Sequence, residues 1–252
     1  RYAWRNKRAY GNSLFVYGDN MVTTIYLIRH GETEGSEAKR YKGSIDVPLS
    51  ENGQRQIEQV AKFLNRPYKS YNGLNAVYTS PLSRALKSAE IIAEPHGLKP
   101  IVIEDLRERN FGNWEGMSFT EIKELHPEEF EAWANNPLKY SPMGGESTIE
   151  VRARAISALN KIIDNHNCNG IQDAGYRMQD KKNHESCIMN LASSSSIAVV
   201  AHGGVNRIIL CHIMGIPLEN IFRIEQDFAA VNIIEFWEKY PVVKLLNGVA
   251  IG

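Results

Sequence analysis

Two apolar segments of this chain lead directly into a histidine that is followed by a glycine. Residues 25–28 precede Arg29 and His30, and residues 197–201 precede His202. Such runs predict buried parallel strands, and ligands of open α/β sheets bind outside the carboxyl ends of these strands. A histidine there can act as a nucleophile or carry a proton, and an arginine can bind an oxyanion through its planar fork of donors. The segments predict one crevice with both imidazoles, although Arg29 and His30 alone could also simply end a strand at the surface.

A second candidate oxyanion ligand is Arg84. Residues 75–79 predict a short strand, and Ser80 with Pro81 predicts a helix N-cap followed by proline at the first helical position. Arg84 then lies in the first turns, away from the apolar stripe of the helix. Since helical side chains lean toward the N-terminus, Arg84 is expected to point back at the end of the strand. The alternative is an ordinary solvated surface arginine.

A candidate acid lies in the loop after the next predicted strand. Residues 101–103 are apolar and β-branched, and Glu108 follows within residues 106–116, a segment with two glycines and two aromatic residues. This composition predicts an ordered loop and not a helix. If the strands are parallel, the two histidines, Arg84 and Glu108 all meet at one edge of the sheet.

The remaining pattern alternates between strands and helices, which predicts an α/β fold with a mostly parallel sheet. Ser50 is a predicted N-cap, and Ser118-x-x-Glu121 and Ser147-x-x-Glu150 are predicted capping boxes. The predicted helices start after Ser50, at residues 118, 127 and 147, and at about residue 205; the predicted last strands are 230–237 and 242–246.

Two segments do not fit this core. Residues 1–20 mix basic and aromatic side chains, a pattern that also occurs at nucleic-acid or membrane contacts, but they contain no apolar stretch of signal-peptide length. Since Met21 directly precedes the first strand, we interpret residues 1–20 as a basic extension that is disordered or artificially added. Residues 165–196 are polar and aperiodic, which predicts a surface insertion.

The composition argues against several function classes. The chain has 29 Lys and Arg and 29 Asp and Glu, so no overall field favours nucleic acid or anionic lipid. Its apolar runs fall short of a membrane span. Cys168, Cys187 and Cys211 are far apart and form no Cys-x-x-Cys pair, which predicts a reducing, cytoplasmic location and no structural zinc site. The expected partner is therefore a small molecule, and the oligomeric state stays open.

Five segments taken together resemble the histidine phosphatase superfamily, in its phosphoglycerate-mutase-like branch. They are Leu-Ile-Arg-His-Gly-Glu-Thr at 27–33, Thr-Ser-Pro-Leu-Ser-Arg-Ala at 79–85, Leu-Arg-Glu at 106–108 with Phe-Gly-Asn-Trp-Glu-Gly at 111–116, Gly-Gly-Glu-Ser at 144–147, and Val-Ala-His-Gly-Gly at 200–204. The resemblance covers about Met21 to Asn247 apart from the insertion. It implies a three-layer α/β/α sandwich and one catalytic domain over residues 21–252.

The resemblance also implies a role for each candidate residue. His30 matches the family's phosphorylated nucleophile and Glu108 its proton donor. His202, Arg29 and Arg84 match its phosphate pocket, in which His202 would add a donor if protonated. The implied reaction is phosphomonoester hydrolysis of a small phosphorylated metabolite through a phosphohistidine, with no metal and no cofactor. His30 needs a partner for its second ring nitrogen, and the backbone near Gly31 is the candidate.

The chain departs from many family members at one point of the expected site. Gly35 and Ser36 stand where these members have Trp-Asn, so substrate positioning by Ser36 is open; we place Ser36 and Gly203 among the phosphate-binding residues. Residues 222–232 are similar to α-ribazole phosphatases. Two alternatives remain: phosphoryl transfer as in a phosphoglycerate mutase, and a catalytically idle phosphate-binding protein.

Overall fold

A six-stranded sheet runs through the middle of the chain in a computed structural model that describes residues 22–65, 73–166, 194–237 and 240–249. The strands are β1 (Thr23–Arg29), β2 (Ala76–Thr79), β3 (Ile101–Val102), β4 (Ser195–Ala201), β5 (Val231–Phe236) and β6 (Pro241–Gly248). Their order across the sheet is β3-β2-β4-β1-β5-β6. The first four are parallel, and β5 is antiparallel to both of its neighbours. The predicted α/β fold with a mostly parallel sheet is confirmed.

The central strand β1 is buried on both faces. Ile25 and Leu27 pack into one apolar cluster, and Tyr26 and Ile28 pack into the other. This alternation follows from the two-residue period of a strand. It explains why the run is apolar throughout: no side chain of this strand reaches solvent until Arg29.

Helices cover both faces of the sheet, which confirms the three-layer sandwich. The described helices are α1 (Glu51–Leu64), α2 (Ser83–Ala93), α3 (Phe119–Leu125), α4 (Pro127–Asn135), α5 (Thr148–His166) and α6 (Gly203–Met214). Helices α1 and α2 pack on the face of Tyr26, and α5 and α6 pack on the opposite face. No helix of the described residues is long and apolar enough to cross a membrane.

A third apolar cluster lies beyond the carboxyl edge of the sheet. Trp114, Ile122, Phe130 and Trp133 form its buried centre, and Tyr41 packs against them. Helices α3 and α4 supply most of this cluster. The predicted capping box at the start of α3 and the predicted start of α4 at residue 127 are both confirmed.

The helix α2 begins differently from the prediction. Its first residue is Ser83, and Ser80 does not cap it. Instead, the Asp46 carboxylate accepts from the Ser83 backbone N–H at 2.8 Å and from its hydroxyl at 2.7 Å. A distant carboxylate thus takes the capping place, because the helix begins two residues later than predicted, after Leu82. The Ser80 hydroxyl lies instead beside the imidazole of His202.

Other predicted boundaries shift by a few residues. Helix α6 begins at Gly203 and not at about Val205, and it ends before Gly215, which has the left-handed conformation. The edges of the predicted insertion are ordered, since α5 continues to His166 and β4 begins at Ser195. Residues 167–193 and residues 1–20 lie outside the described part of the chain.

Two glycines allow the loop after β1 to lie directly on the first turn of α1. A Cβ atom on Gly31 would collide with the backbone carbonyl of Gly53, and one on Gly53 would collide with the carbonyl of Glu32. The Ser50 backbone N–H donates to that same Glu32 carbonyl at 3.0 Å. This contact fixes the path of the chain immediately after His30.

Candidate active site

The pairing of β1 with β4 brings the two histidines together. Arg29 is the register partner of Ala201, so His30 and His202 leave adjacent parallel strands at the same level. The His30 backbone N–H donates to the Ala201 carbonyl at 3.1 Å. The two ring centroids are 5.1 Å apart, with an interplanar angle of 62°.

The ring of His30 is held through Nδ1. This atom lies 2.7 Å from the carbonyl oxygen of Gly31. Because a carbonyl oxygen only accepts, Nδ1 carries the proton and Nε2 keeps its lone pair. Burial, together with the charges of Arg29 and Arg84, lowers the pKa of His30 well below 6.5. The imidazole is therefore neutral at neutral pH, with one free nitrogen.

The ring of His202 has the opposite nitrogen engaged. Its Nε2 lies 2.7 Å from the Ser80 hydroxyl, which also accepts from the Leu82 backbone N–H at 3.3 Å. Among the described residues, the Ser80 hydroxyl hydrogen has no acceptor other than this nitrogen. Ser80 therefore donates to Nε2, and the proton of His202 lies on Nδ1, a buried atom without a partner in the described residues.

The charge of His202, which the sequence left open, follows from its surroundings. Burial and the neighbouring charges of His30, Arg84 and Arg29 lower the pKa of His202 well below 6.5. The ring is not protonated near neutral pH. It can still donate a hydrogen bond, because Ser80 selects the tautomer with the proton on Nδ1.

Two guanidiniums flank the imidazoles. Arg29 donates from Nη1 to the Gln226 carbonyl at 2.6 Å, and its Cζ lies 4.0 Å from the ring centroid of Phe228. Arg84 is 2% exposed and donates to the carbonyls of Ile45 at 2.7 Å and Gly43 at 2.7 Å. Burial lowers the pKa of Arg29 to about 10, so it stays cationic at neutral pH. The alternative of a solvated surface arginine is wrong for Arg84.

The carboxylate of Glu108 lies at the start of α6. Its Oε2 accepts from the Gly204 backbone N–H at 3.1 Å, and its Oε1 accepts from the Arg109 backbone N–H at 2.9 Å. A Cβ atom on Gly204 would lie 2.6 Å from Oε1, so a side chain there would displace the Glu108 carboxylate from this position. The Arg107 side chain donates to Glu146 and not to Glu108. The backbone carbonyls of Arg107 and Glu108 both accept hydrogen bonds from the Arg154 guanidinium.

Gly203 and Ser36 line the same cavity as His30. Gly203 is the first residue of α6, where free backbone N–H groups favour an anion. A Cβ atom there would lie 3.3 Å from the Arg29 Nε. Ser36 is half-buried and begins a short 3-10 turn. Six of the seven candidate residues thus line one cavity, and the seventh, His202, is fully buried beside the ring of His30. Their roles stay predictions.

The cavity measures about 610 Å³ and includes residues that sequence reasoning missed. Arg207 and Lys42 line it, together with Arg109 and Phe228. Arg207 lies four residues after Gly203 on α6, so the two residues share one face of the helix. This spacing alone could have indicated that Arg207 lines the site. Lys42 donates to Thr33 Oγ1 at 2.6 Å, a contact between residues nine positions apart that neither helix nor strand periodicity predicts. No group of His, Cys, Asp or Glu in the described residues is arranged to hold a metal ion.

We expect the variant Ser80→Ala to change the tautomer of His202. Without the hydroxyl donor, the population with the proton on Nε2 should rise, whereas Ser80→Thr should keep the proton on Nδ1. The ¹⁵N chemical shifts of the His202 ring measure this directly. An unchanged ring spectrum in Ser80→Ala would contradict the assigned hydrogen-bond direction.

The two buried imidazoles should also make stability depend on pH. Since their pKa values are lowered on folding, the unfolded chain binds more protons below pH 6.5. The free energy of unfolding should therefore fall as the pH falls, by about 1.4 kcal/mol per pH unit for each histidine that stays neutral. Denaturant unfolding of the wild type between pH 7.5 and 5 measures this slope. The double variant His30→Gln, His202→Gln is the control, and an equal slope in both proteins would show that the histidines do not contribute.

Comparison with known proteins identifies the family. The model of the histidine phosphatase superfamily (branch 1) matches residues 25–171 and 181–248. Phosphoserine phosphatase 1 of Hydrogenobacter thermophilus is 29% identical over 226 residues, which are 90% of this chain and 92% of that protein. A metal-independent phosphoserine phosphatase of Arabidopsis thaliana is 34% identical over 151 residues, 59% of this chain and 61% of that protein.

The fold comparison agrees with this assignment. The crystal structure of the α-ribazole phosphatase from Shigella flexneri has a TM-score of 0.71 and 23% identity, and it covers 91% of this chain and 98% of that one. At this identity the likeness concerns the fold alone. Together with the family model, which spans most of the chain, these findings show that the chain belongs to branch 1 of the histidine phosphatase superfamily and is a phosphatase.

Proposed function

We propose that this chain hydrolyses a small phosphorylated metabolite through a phosphohistidine on His30, without a metal ion. The observation that carries the proposal is the state of His30: it is neutral, held through Nδ1, and keeps a free Nε2 lone pair. Arg29 and Arg84 line the same cavity, and the His202 ring lies 5.1 Å from that of His30, with its Nδ1 proton unpaired among the described residues. A neutral nucleophile inside a cationic pocket is what attack on a phosphate dianion requires.

In the first step, the His30 Nε2 lone pair forms a bond to phosphorus while the ester P–O bond breaks. Glu108 gives its proton to the departing oxygen, which leaves as an alcohol. Arg29 and Arg84 neutralise charge on the equatorial oxygens, and the His202 Nδ1 proton and the Gly203 backbone N–H at the start of α6 add preorganised donors. In this step the residues accelerate the reaction by positioning the phosphoryl group and by stabilising its negative charge electrostatically.

In the second step, water attacks phosphorus and the N–P bond breaks. The Glu108 carboxylate takes a proton from the water, which restores the acid for the next cycle, and the electron pair returns to His30 Nε2. Inorganic phosphate is the product. The guanidiniums supply the positive charge that a metal ion supplies in other phosphatases, and the name of the Arabidopsis relative supports a metal-independent reaction.

The alternative of phosphoryl transfer between two positions of one substrate uses the same first step. The relatives compared above are named as phosphatases, which supports hydrolysis. The cytoplasmic location stays a prediction from cysteine usage. The choice of α-ribazole phosphate as the substrate rests only on the sequence resemblance of residues 222–232.

The variant His30→Ala should abolish phosphate release from every phosphomonoester that the wild type hydrolyses in the presence of a chelator. The activity should be lost because no other residue in the described part of the chain offers the guanidiniums a buried neutral nitrogen with a free lone pair. A phosphate-release assay measures it, and His212→Ala, at an exposed position of α6, is the control. Retained turnover in His30→Ala would rule out the covalent route, and no wild-type turnover on any ester would favour the idle binding protein.

The variant Glu108→Gln should slow alkyl phosphates about 10²-fold or more in kcat, the usual effect of losing a general acid. It should slow 4-nitrophenyl phosphate far less, because that leaving group departs without a proton. Glu104→Gln, exposed in the same segment, is the matched control. Equal slowing of both esters by Glu108→Gln would contradict the assignment of Glu108 as the general acid.

A further inference from the structure

The Gly-Gly-Glu-Ser segment of the sequence places Glu146 just before helix α5. The predicted capping box forms there: the Glu150 backbone N–H donates to the Ser147 hydroxyl at 3.2 Å, and the Ser147 backbone N–H donates to the Glu150 carboxylate at 2.7 Å. Arg154 lies about two turns further along, and helical side chains lean toward the N-terminus. Its guanidinium therefore reaches back to Glu146, where Nε and Nη2 donate to the two carboxylate oxygens at 2.9 Å each.

All five N–H donors of the Arg154 guanidinium have an acceptor. Besides the two bonds to Glu146, Nη1 donates to the backbone carbonyls of Asp105 at 2.9 Å and Arg107 at 2.6 Å, and Nη2 donates to that of Glu108 at 3.2 Å. The side chains of Arg154 and Glu146 are only 10% and 17% exposed. Because a fully satisfied guanidinium has a fixed geometry, Arg154 fixes the backbone that leads into Glu108.

Glu146 fixes the backbone that follows Glu108. Its Oε2 accepts from the Asn110 backbone N–H at 2.9 Å, and its own backbone N–H donates to the Asn110 carbonyl at 2.9 Å. The Arg109 Nε donates to the Glu146 carbonyl at 2.8 Å, and the Arg107 Nη2 donates to Oε1 at 3.2 Å. Both arginines that flank Glu108 in the sequence thus donate to Glu146, and the segment 105–110 is held on both sides of Glu108.

We propose that Glu146 and Arg154 are positioning residues for the general acid, because they hold the segment 105–110 so that the Glu108 carboxyl group faces the leaving-group oxygen. The inference rests on the proposed function, since it requires Glu108 to be the proton donor. Neither Glu146 nor Arg154 lines the cavity that the described residues form, so both act through Glu108 and not on the substrate. Proton transfer needs hydrogen-bond reach, and a displacement of about 1 Å is enough to slow it strongly.

The ratio of two kcat values tests this positioning: that of the fastest alkyl ester, from a panel with glycerol 2-phosphate and propyl phosphate, and that of 4-nitrophenyl phosphate. Arg154→Gln should lower the alkyl-to-aryl ratio about tenfold or more, because only the alkyl leaving group needs the proton. Glu146→Gln should lower it too, since an amide nitrogen cannot accept the bonds that a carboxylate oxygen accepts. Arg154→Lys, with three donors in place of five, should lower it less than Arg154→Gln.

Arg152→Gln is the matched control, because Arg152 is exposed on the same helix, and it should keep the wild-type ratio. In Glu108→Gln, which has no acid to position, adding Arg154→Gln should leave the ratio unchanged.

A further fall of the ratio in that double variant, or equal slowing of both esters by Arg154→Gln and Glu146→Gln, would overturn the inference. If Arg154→Gln does not fold, Arg154→Lys and Glu146→Gln decide by the same ratio, which does not depend on the amount of folded enzyme. Equal slowing of both esters by Glu108→Gln alone, or a wild type that hydrolyses no alkyl ester, would instead contradict the proposed function.

Discussion

The register between β1 and β4 is the constraint on which the site depends. It pairs Arg29 with Ala201 and so fixes where the chain leaves each strand. Since side chains of a strand alternate, a slip of one residue would move the apolar side chains of β1 to the wrong faces and separate the imidazoles. The two apolar clusters that bury Leu27 and Ile28 therefore also specify the distance between His30 and His202. The packing of the core and the geometry of the site therefore both depend on this strand register.

The electrostatics of the pocket follow from that geometry. Both imidazoles are buried beside two guanidiniums, where an additional positive charge is unfavourable. Both rings therefore stay neutral. The neutral rings then differ only in their hydrogen-bond partners: the Gly31 carbonyl leaves His30 with a free lone pair, and the Ser80 hydroxyl leaves His202 with a free proton. In the proposed mechanism one ring is the nucleophile and the other a hydrogen-bond donor, and neither needs to change its charge before an oxyanion binds.

Much of this arrangement could be predicted from the sequence, and the failures have a common cause. The strand of residues 25–28, the capping box at Ser118 and the candidate residues around His30 depend on local patterns, which a single sequence displays. Ser80 was predicted as a helix cap because its local context fits one, but its partner is 122 residues away. Asp46 takes over the capping, and only the tertiary structure brings it to Ser83. The sequence likewise does not show that Arg109 Nη2 and Trp133 Nε1 are buried without a partner among the described residues, because burial and hydrogen bonding depend on the tertiary structure.

The central claim is that His30 reacts through Nε2 because Nδ1 is held by the Gly31 carbonyl. The direct measurement is to trap the phosphoenzyme by rapid alkaline quenching during turnover and to locate the phosphoryl group by peptide mass spectrometry and ³¹P NMR. The account predicts phosphate on Nε2 of His30. Phosphate on Nδ1, or on any other residue, would contradict it.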